Sequence, residues 1–172
     1  STISQQLAKQ LFHKEKTRGI ARYTQKIKEW IIATRLEKQY TKEEILTMYF
    51  NIYDFNNNAD GIRSAAKIYF DKEPKQLKIE EGAMLVGMFK NSALYNPVKN
   101  KEGVTNRRNV VLAQMAKNNY LTQEQKDSLQ QLPLKIKYTP ESHNDGIATY
   151  FREYLRSYMK TWVNENPKPD GT

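Results

Sequence analysis

The sequence contains no cysteine. That excludes a disulfide framework and any thiolate metal site. It holds only two histidines, His13 and His143, which argues against a histidine-rich metal centre and against a Ser-His-Asp triad. Glycine and proline are scarce, with seven and six residues in 172. Few helix breakers therefore interrupt the frequent Leu, Ile, Lys, Glu and Gln, and helices are favoured. No long hydrophobic run exists. The longest uncharged apolar stretch, Gly82 to Phe89, is far below the roughly 20 residues of a membrane span, and no signal peptide is recognisable. The chain opens on Ser1-Thr2-Ile3-Ser4 without an initiator methionine, as a piece of something longer would.

What is present describes a globular chain. Hydrophobic residues make up 38% and charged residues 27%, a balance of folded rather than disordered domains. The formal charge is +9, from 28 basic and 19 acidic residues. Such a surface seeks anions: nucleic acid, lipid headgroups or pyrophosphate. Charge alone does not choose among them.

The apolar pattern predicts successive helices. Ile3, Leu7 and Leu11 form one stripe of a helix over Thr2 to Phe12, with Ser1, Gln5 and Lys9 as a polar stripe at the same spacing. A polar loop to Gly19 precedes a long helix, Arg22 to Gln39, with Ile27, Trp30, Ile31 and Leu36 as its expected buried side. Thr41-Lys42-Glu43-Glu44 is a capping box opening a short helix to about Tyr49. Asn51 to Ala59 reads as a loop, and Asp60 as a cap for a small-residue helix, Gly61 to Tyr69. Ile79 to Phe89 is an apolar, central helix; Val104 to Lys117 follows, with Val111, Leu112 and Met115 inward. Thr122 to Gln125 is a second capping box. Leu134 to Tyr138 alternates like a short strand. The last helix, about Gly146 to Val163, carries an unbroken aromatic series that fits docking on lipid, a partner domain or a core. Pro167 to Thr172 is expected to be disordered.

Several groups could carry chemistry. Lys26 and Glu29 stand at i, i+3 on one helix face, with Lys9, Arg18 and Arg22 close in sequence. Spacing alone reads first as a solvated surface ion pair. The alternative is an ionised carboxylate among cations that could hold a pyrophosphate. Ser1, Thr2, Gln5 and Gln6 cluster at a helix start, where N–H groups attract anions, though taken alone they read first as ordinary N-capping. Arg107-Arg108 could grip phosphate or form a salt-bridged helix face, and Asn51 could be a catalytic amide or a helix C-cap.

Their order along the chain carries more weight than any one of them. Ser1-Thr2-Ile3-Ser4-Gln5-Gln6 resembles the G-G-S-T-I-T-Q-Q signature of family 51 glycosyltransferases, and Lys26-Ile27-Lys28-Glu29 resembles R-K-x-x-E. Ile45-Leu46-Thr47-Met48-Tyr49-Phe50-Asn51 resembles I-L-x-x-Y-L-N, and Arg107 to Met115 resembles R-R-x-x-V-L-x-x-M. Asp60 to Phe70 is similar to the G-I-x-x-A-A-x-x-Y-F segment. The chain thus resembles the peptidoglycan glycosyltransferase domain of class A penicillin-binding proteins over residues 1–132. Residues 133–172 look like the linker towards a transpeptidase domain.

The resemblance implies an all-α, lysozyme-like helical glycosyltransferase fold, with a short β-like segment and a C-terminal linker helix. It implies polymerisation of lipid II: the acceptor's 4-hydroxyl attacks C1 of the growing glycan strand, with inversion and release of a polyprenyl pyrophosphate. Carried over by position, Glu29 is the second catalytic carboxylate. Lys9, Arg18 and Lys26 bind pyrophosphate, with Arg22 as an alternative to Arg18. Ser1, Thr2, Gln5 and Gln6 contact substrate or shape the site, and Asn51, Arg107 and Arg108 belong to structural motifs. No cofactor is required, although Mg or Mn at the pyrophosphate fits the chemistry. The implied partners are lipid II, the growing strand, the membrane surface and a transpeptidase domain in the same natural chain. The implied location is the bacterial inner membrane, on its periplasmic or extracellular side, and the site is the expected target of moenomycin-type inhibitors. Nucleic acid is disfavoured, because the cations are scattered and no nucleic-acid signature occurs.

Three departures stand out. The first signature, E-D-x-x-F-x-x-H-x-G, supplies the general base and is absent from residues 1–172, so the chain as given is expected to lack polymerase activity. Gln25 replaces the first arginine of R-K-x-x-E, and Phe50 replaces a leucine.

Overall fold

The computed structural model describes residues 2–12, 19–140 and 149–166. The chain divides into two units, Ser1–Thr139 and Pro140–Thr172. The first holds seven α-helices among its described residues: α1 Ile3–Phe12, α2 Ile20–Gln39, α3 Lys42–Ile52, α4 Gly61–Phe70, α5 Ile79–Met88, α6 Lys101–Lys117 and α7 Gln123–Gln131. A single 3-10 turn, Pro74–Gln76, precedes α5. The second unit holds α8, Thr149–Glu165. No described helix is long and apolar enough to cross a membrane.

Local chemistry sets the helix boundaries. The Thr41 hydroxyl accepts from the Glu44 N–H at 3.3 Å, and Glu44 returns a bond to the Thr41 N–H at 2.8 Å, so both capping-box donors are satisfied. The Thr41 N–H and, at 3.0 Å, the Thr41 hydroxyl donate to the Glu44 carboxyl and hold it below its usual range. Thr122 and Gln125 repeat the device at the start of α7. Asp60 stands at the N-cap of α4 but makes no side-chain cap bond, which corrects the expected role. The turn before it is instead closed by the backbone, with Phe55 N–H donating to Ala59 O and Gly61 N–H to Tyr53 O. Asn56, Asn57 and Asn58 take φ of 62°, 54° and 62°. Asparagine tolerates this left-handed region better than other side chains, which accounts for the three in a row. Asn57 also donates to the Tyr69 hydroxyl and to Asn96 Oδ1, tying the turn to α4 and to the Tyr95-Asn96-Pro97 turn.

The main core joins α1, α3, α4, α5 and α6 through Leu7, Ile45, Tyr49, Ile68, Tyr69, Met84, Leu85, Met88 and Val104. An aromatic cluster lies within it: Phe89 stacks on Phe50 at 5.0 Å and meets Tyr53 edge-on at 4.6 Å. The phenylalanine at position 50 thus serves as a stacking partner. A second cluster joins Ala83 of α5, Leu112 of α6 and Leu121 of the following turn, with Leu129 of α7 packed against it.

Two expectations need correction. Among the described residues of α2 the buried positions are Glu29 and Ala33, with Leu36 partly buried, whereas Ile27, Trp30 and Ile31 are half or more exposed. Periodicity showed that the helix has an apolar side; it did not show which side faces α1 and α3. The second concerns Leu134–Tyr138. This segment is extended, with Leu134 and Ile136 against the core, but it pairs with no strand among the described residues. Its Lys137 N–H donates to Tyr69 O and its Thr139 N–H to Ile68 O. The alternation is satisfied by carbonyls of the last turn of α4, which a helix end otherwise leaves unpaired. Tyr138 stacks on Tyr69, and Lys137 pairs with Asp71. The expected disorder of Pro167 to Thr172 lies outside the described residues.

Candidate active site

A cleft of about 690 Å3 opens between α1, α2 and α3, and it is lined by Gln5, Gln6, Lys9, Gln10, Lys26, Tyr49, Ile52, Tyr53, Asp54 and Asp60. Four consecutive-turn positions of α1 reach it because Leu7 and Ala8 point the other way, fully buried. Period 3.6 therefore turns Gln5, Gln6, Lys9 and Gln10 to one side. Lys26 arrives from α2.

Behind Lys26 sits Glu29, only 1% exposed. Its Oε2 accepts from Lys26 Nζ at 2.5 Å and its Oε1 from Gln25 Nε2 at 3.1 Å. Both carboxylate oxygens are thus engaged from within α2, and Glu29 is not one of the described residues lining the cleft. The pair is asymmetric: the Lys26 side chain is 51% exposed and that of Glu29 2%. A buried carboxylate bonded to a half-exposed ammonium holds that cation at the cleft edge. Gln25, a departure from the family motif, here replaces a charged donor by a neutral one.

From α3, the Tyr49 hydroxyl donates to Gln6 Oε1 at 2.8 Å. Burial, with a smaller contribution from Tyr53, pushes the Tyr49 hydroxyl up to about 12, so it stays protonated and keeps donating. Gln6 is thereby oriented with its amide N–H groups available. Gln10 Oε1 is buried with no hydrogen-bond partner, an acceptor that a ligand donor would satisfy. Two carboxylates also line the cleft: Asp54 and Asp60 are joined by an isolated antiparallel bridge, and Asp54 Oδ1 accepts from the Asn56 N–H. The lining thus combines two cations, Lys9 and Lys26, with two carboxylates.

The remaining expected residues fall elsewhere. Thr2 caps α1, exchanging bonds with Gln5, and is not among the described lining residues. Ser1 and Arg18 lie outside the described residues. Arg22 is exposed and does not line the cleft. Asn51 stays inside the last turn of α3, and the C-cap is Tyr53. Its importance is its backbone: Gly61, at φ +79°, has no room for a Cβ, which would stand 2.5 Å from Asn51 O. Arg108 is 1% exposed. It donates to Asn109 Oδ1 and to Gln130 O, clamping α6 to α7. Burial pushes its guanidinium down, opposed by Glu80. Arg107 donates to Gly87 O and lies over the Tyr95 ring.

Sequence reasoning missed Tyr49, Gln10, Asp54 and Asp60 as cleft residues. Tyr49 was legible: it stands two residues before Asn51 on a face that carries Ile45. The two aspartates come from a loop whose closure no local pattern announces.

Among the described residues no group of three or more His, Cys, Asp or Glu could hold a metal ion.

Comparison with known proteins agrees with the geometry. A family model described as Transglycosylase matches residues 1–116. Penicillin-binding protein 1A of Aquifex aeolicus (strain VF5) is 35% identical over 160 residues, which are 92% of this chain and 21% of the relative. Penicillin-binding protein 1A of Escherichia coli (strain K12) is 36% identical over 175 residues, covering 99% of this chain and 20% of the relative. The crystal structure of penicillin-binding protein 1A from Haemophilus influenzae aligns with a TM-score of 0.55 at 22% identity, covering 99% of this chain and 21% of that one. This likeness supports the all-α, lysozyme-like fold. The chain spans about a fifth of the length of the curated relatives it matches. With the signatures in register and Gln5, Gln6, Lys9 and Lys26 brought to one cleft, the chain belongs to the transglycosylase family.

Proposed function

We propose that this chain forms the pyrophosphate-holding part of a peptidoglycan glycosyltransferase that polymerises lipid II in cell wall synthesis. The observation that carries the reading is the shared cleft of Gln5, Gln6, Lys9 and Lys26, with Glu29 fixing Lys26 from behind.

In the proposed reaction the acceptor's 4-hydroxyl oxygen bonds to C1 of the donor. The bond from C1 to the pyrophosphate oxygen breaks, and the hydroxyl proton passes to a carboxylate base. Negative charge develops on the departing pyrophosphate, where Lys9 and Lys26 stabilise it. Glu29, with both oxygens engaged, serves in this chain to orient Lys26 rather than to receive the proton. Gln6, aimed by Tyr49, donates an amide N–H to a sugar or phosphate oxygen. Arg18 is proposed as a third cation. No resident metal is proposed; a Mg or Mn ion would be carried by the pyrophosphate, and Asp54 and Asp60 are the carboxylates among the lining residues that could approach it.

The general base belongs to the E-D-x-x-F-x-x-H-x-G signature, which residues 1–172 do not contain. The chain alone is therefore proposed to bind lipid II without polymerising it. In a longer protein bearing that signature and a transpeptidase domain, it works on the outer face of the inner membrane, with the growing strand as second substrate and moenomycin-type inhibitors as competitors.

In that longer protein, Glu29→Gln should lower polymerisation by about 10–100-fold, the loss of roughly 1.5–3 kcal/mol from a charge-assisted bond, with the fold intact by circular dichroism. Undiminished polymerisation would remove the Lys26–Glu29 pair from the mechanism.

A further inference from the structure

We propose that α8 is an interfacial helix that lies on an anionic phospholipid surface through its aromatic face. The inference rests on the reading of this chain as a membrane-surface enzyme and names the element that makes the contact.

α8 runs 17 residues, Thr149–Glu165, about 25 Å at 1.5 Å per residue. Phe151, Tyr154, Leu155, Tyr158, Met159 and Trp162 follow at i, i+3, i+4, i+7, i+8 and i+11. At 100° per residue they fall within an arc of about 140°. All six are exposed, from 39% for Leu155 to 65% for Tyr154. An apolar helix face of this extent requires an occupant.

The chemistry of the face selects which. Three of the six side chains, Tyr154, Tyr158 and Trp162, pair an apolar ring with a polar group. Such rings settle where one end is dry and the other wet, as at the headgroup level of a bilayer. A helix pairing with a second copy of itself would show a narrower, aliphatic seam. Tyr154 and Tyr158 already stack, with ring centroids 6.4 Å apart, forming a flat apolar strip along the helix.

The charge complements an anionic surface. The helix sequence carries Arg152, Arg156 and Lys160 at four-residue spacing against Glu153 on the polar side and Glu165, which falls at the aromatic side but in the last position of the helix. At 100° per residue the three cation positions follow Met159 around the helix, bordering one edge of the aromatic arc. A basic residue at such a border suits a lipid phosphate, because a long basic side chain keeps its charged head wet while its stem covers apolar surface. A wide apolar arc with Trp, Phe and Leu, beside a polar face with Lys and Arg, describes a helix that lies in the membrane plane rather than crossing it.

The test uses the full chain and its two tryptophans, Trp30 and Trp162. In a Trp30→Phe background Trp162 is the sole indole. Mixed phosphatidylglycerol–phosphatidylcholine vesicles should blue-shift its emission, and brominated lipid should quench it; phosphatidylcholine vesicles should do so far less. Arg156→Gln with Lys160→Gln should weaken binding by about 10–30-fold, near five-fold per charge. Tyr158→Ser with Trp162→Ser, in the otherwise unaltered chain, should abolish co-sedimentation. The proposal is overturned if Trp162 emission ignores anionic vesicles, if neutral and anionic vesicles bind alike, or if the serine variant sediments as the parent does through the Trp30 face of α2. It is also overturned if the face drives dimerisation that Tyr158→Ser disrupts, with no vesicle uptake. Lipid II binding is measured separately in neutral detergent, so failure of the sugar chemistry leaves the vesicle result standing, and the reverse.

Discussion

Gly61→Ala is the most demanding test of how the cleft is built. Gly61 starts α4 at φ +79°. For alanine, the left-handed region costs about 1–2 kcal/mol. The added Cβ would also stand 2.5 Å from Asn51 O, 3.1 Å from Asn51 C and 3.3 Å from Asn51 Cα. All three are backbone atoms, so no rotamer change relieves the overlap; α3 and α4 must separate. Overpacking of this kind costs about 1–3 kcal/mol. Together the loss is about 2–5 kcal/mol, a large share of the roughly 5–15 kcal/mol of a typical domain. Urea unfolding followed by far-UV circular dichroism should show a lower midpoint with unchanged slope, and Tm should fall by about 3 °C per kcal/mol. The control is Gly82→Ala within α5, where a Cβ meets nothing within 4 Å and helix propensity predicts a gain of up to about 1 kcal/mol. If Gly61→Ala stays within about 0.5 kcal/mol of the parent, or if Gly82→Ala loses as much, the close approach of α3 and α4 is not what the glycine serves.

Two further outcomes follow from the same geometry. Arg108→Met leaves Asn109 Oδ1 and Gln130 O without their donor; denaturant unfolding should show a loss of about 2–4 kcal/mol, and a change below about 0.5 kcal/mol would deny that the arginine clamps α6 to α7. Asp71 carries a pH dependence. Lys137, and then Lys67, hold its carboxyl at about 2 instead of 3.8. A depressed folded value means stability that is present above pH 3.8 and lost as pH falls towards 2. Asp71→Asn should flatten the unfolding midpoint across that window, and an unchanged acid profile would show that Lys137 does not tether the extended segment to α4.

Much of this arrangement was legible beforehand. Both capping boxes declared themselves by Thr and Glu or Gln at fixed spacing, because the signal and its physical cause are local. The small residues Ala65 and Ala66 and the apolar α5 gave the core. The ordered series of motifs pointed to Gln5, Gln6, Lys9, Lys26 and Glu29; the first four line one cleft, whereas Glu29 is buried behind Lys26 and does not line it. What could not be read depended on distant partners. The face of α2 is chosen by α1 and α3, which bury Glu29 and Ala33 and leave Trp30 exposed. The strand-like alternation of Leu134–Tyr138 is real, yet its partners are carbonyls of a helix some 70 residues earlier. Arg108 looks like a phosphate ligand in sequence and becomes a helix clamp only once α7 folds over it.

The central claim is that Lys9 and Lys26, from two helices, hold one pyrophosphate. Titration of the chain with lipid II in neutral detergent, by calorimetry, tests it directly. Lys9→Met and Lys26→Met should each weaken binding by about 10-fold or more, the loss of one charge-assisted phosphate contact, while Lys117→Met, on the exposed end of α6, should change nothing. Equal affinity in all three variants would contradict the account, because the two lysines would then share a cleft without sharing a ligand.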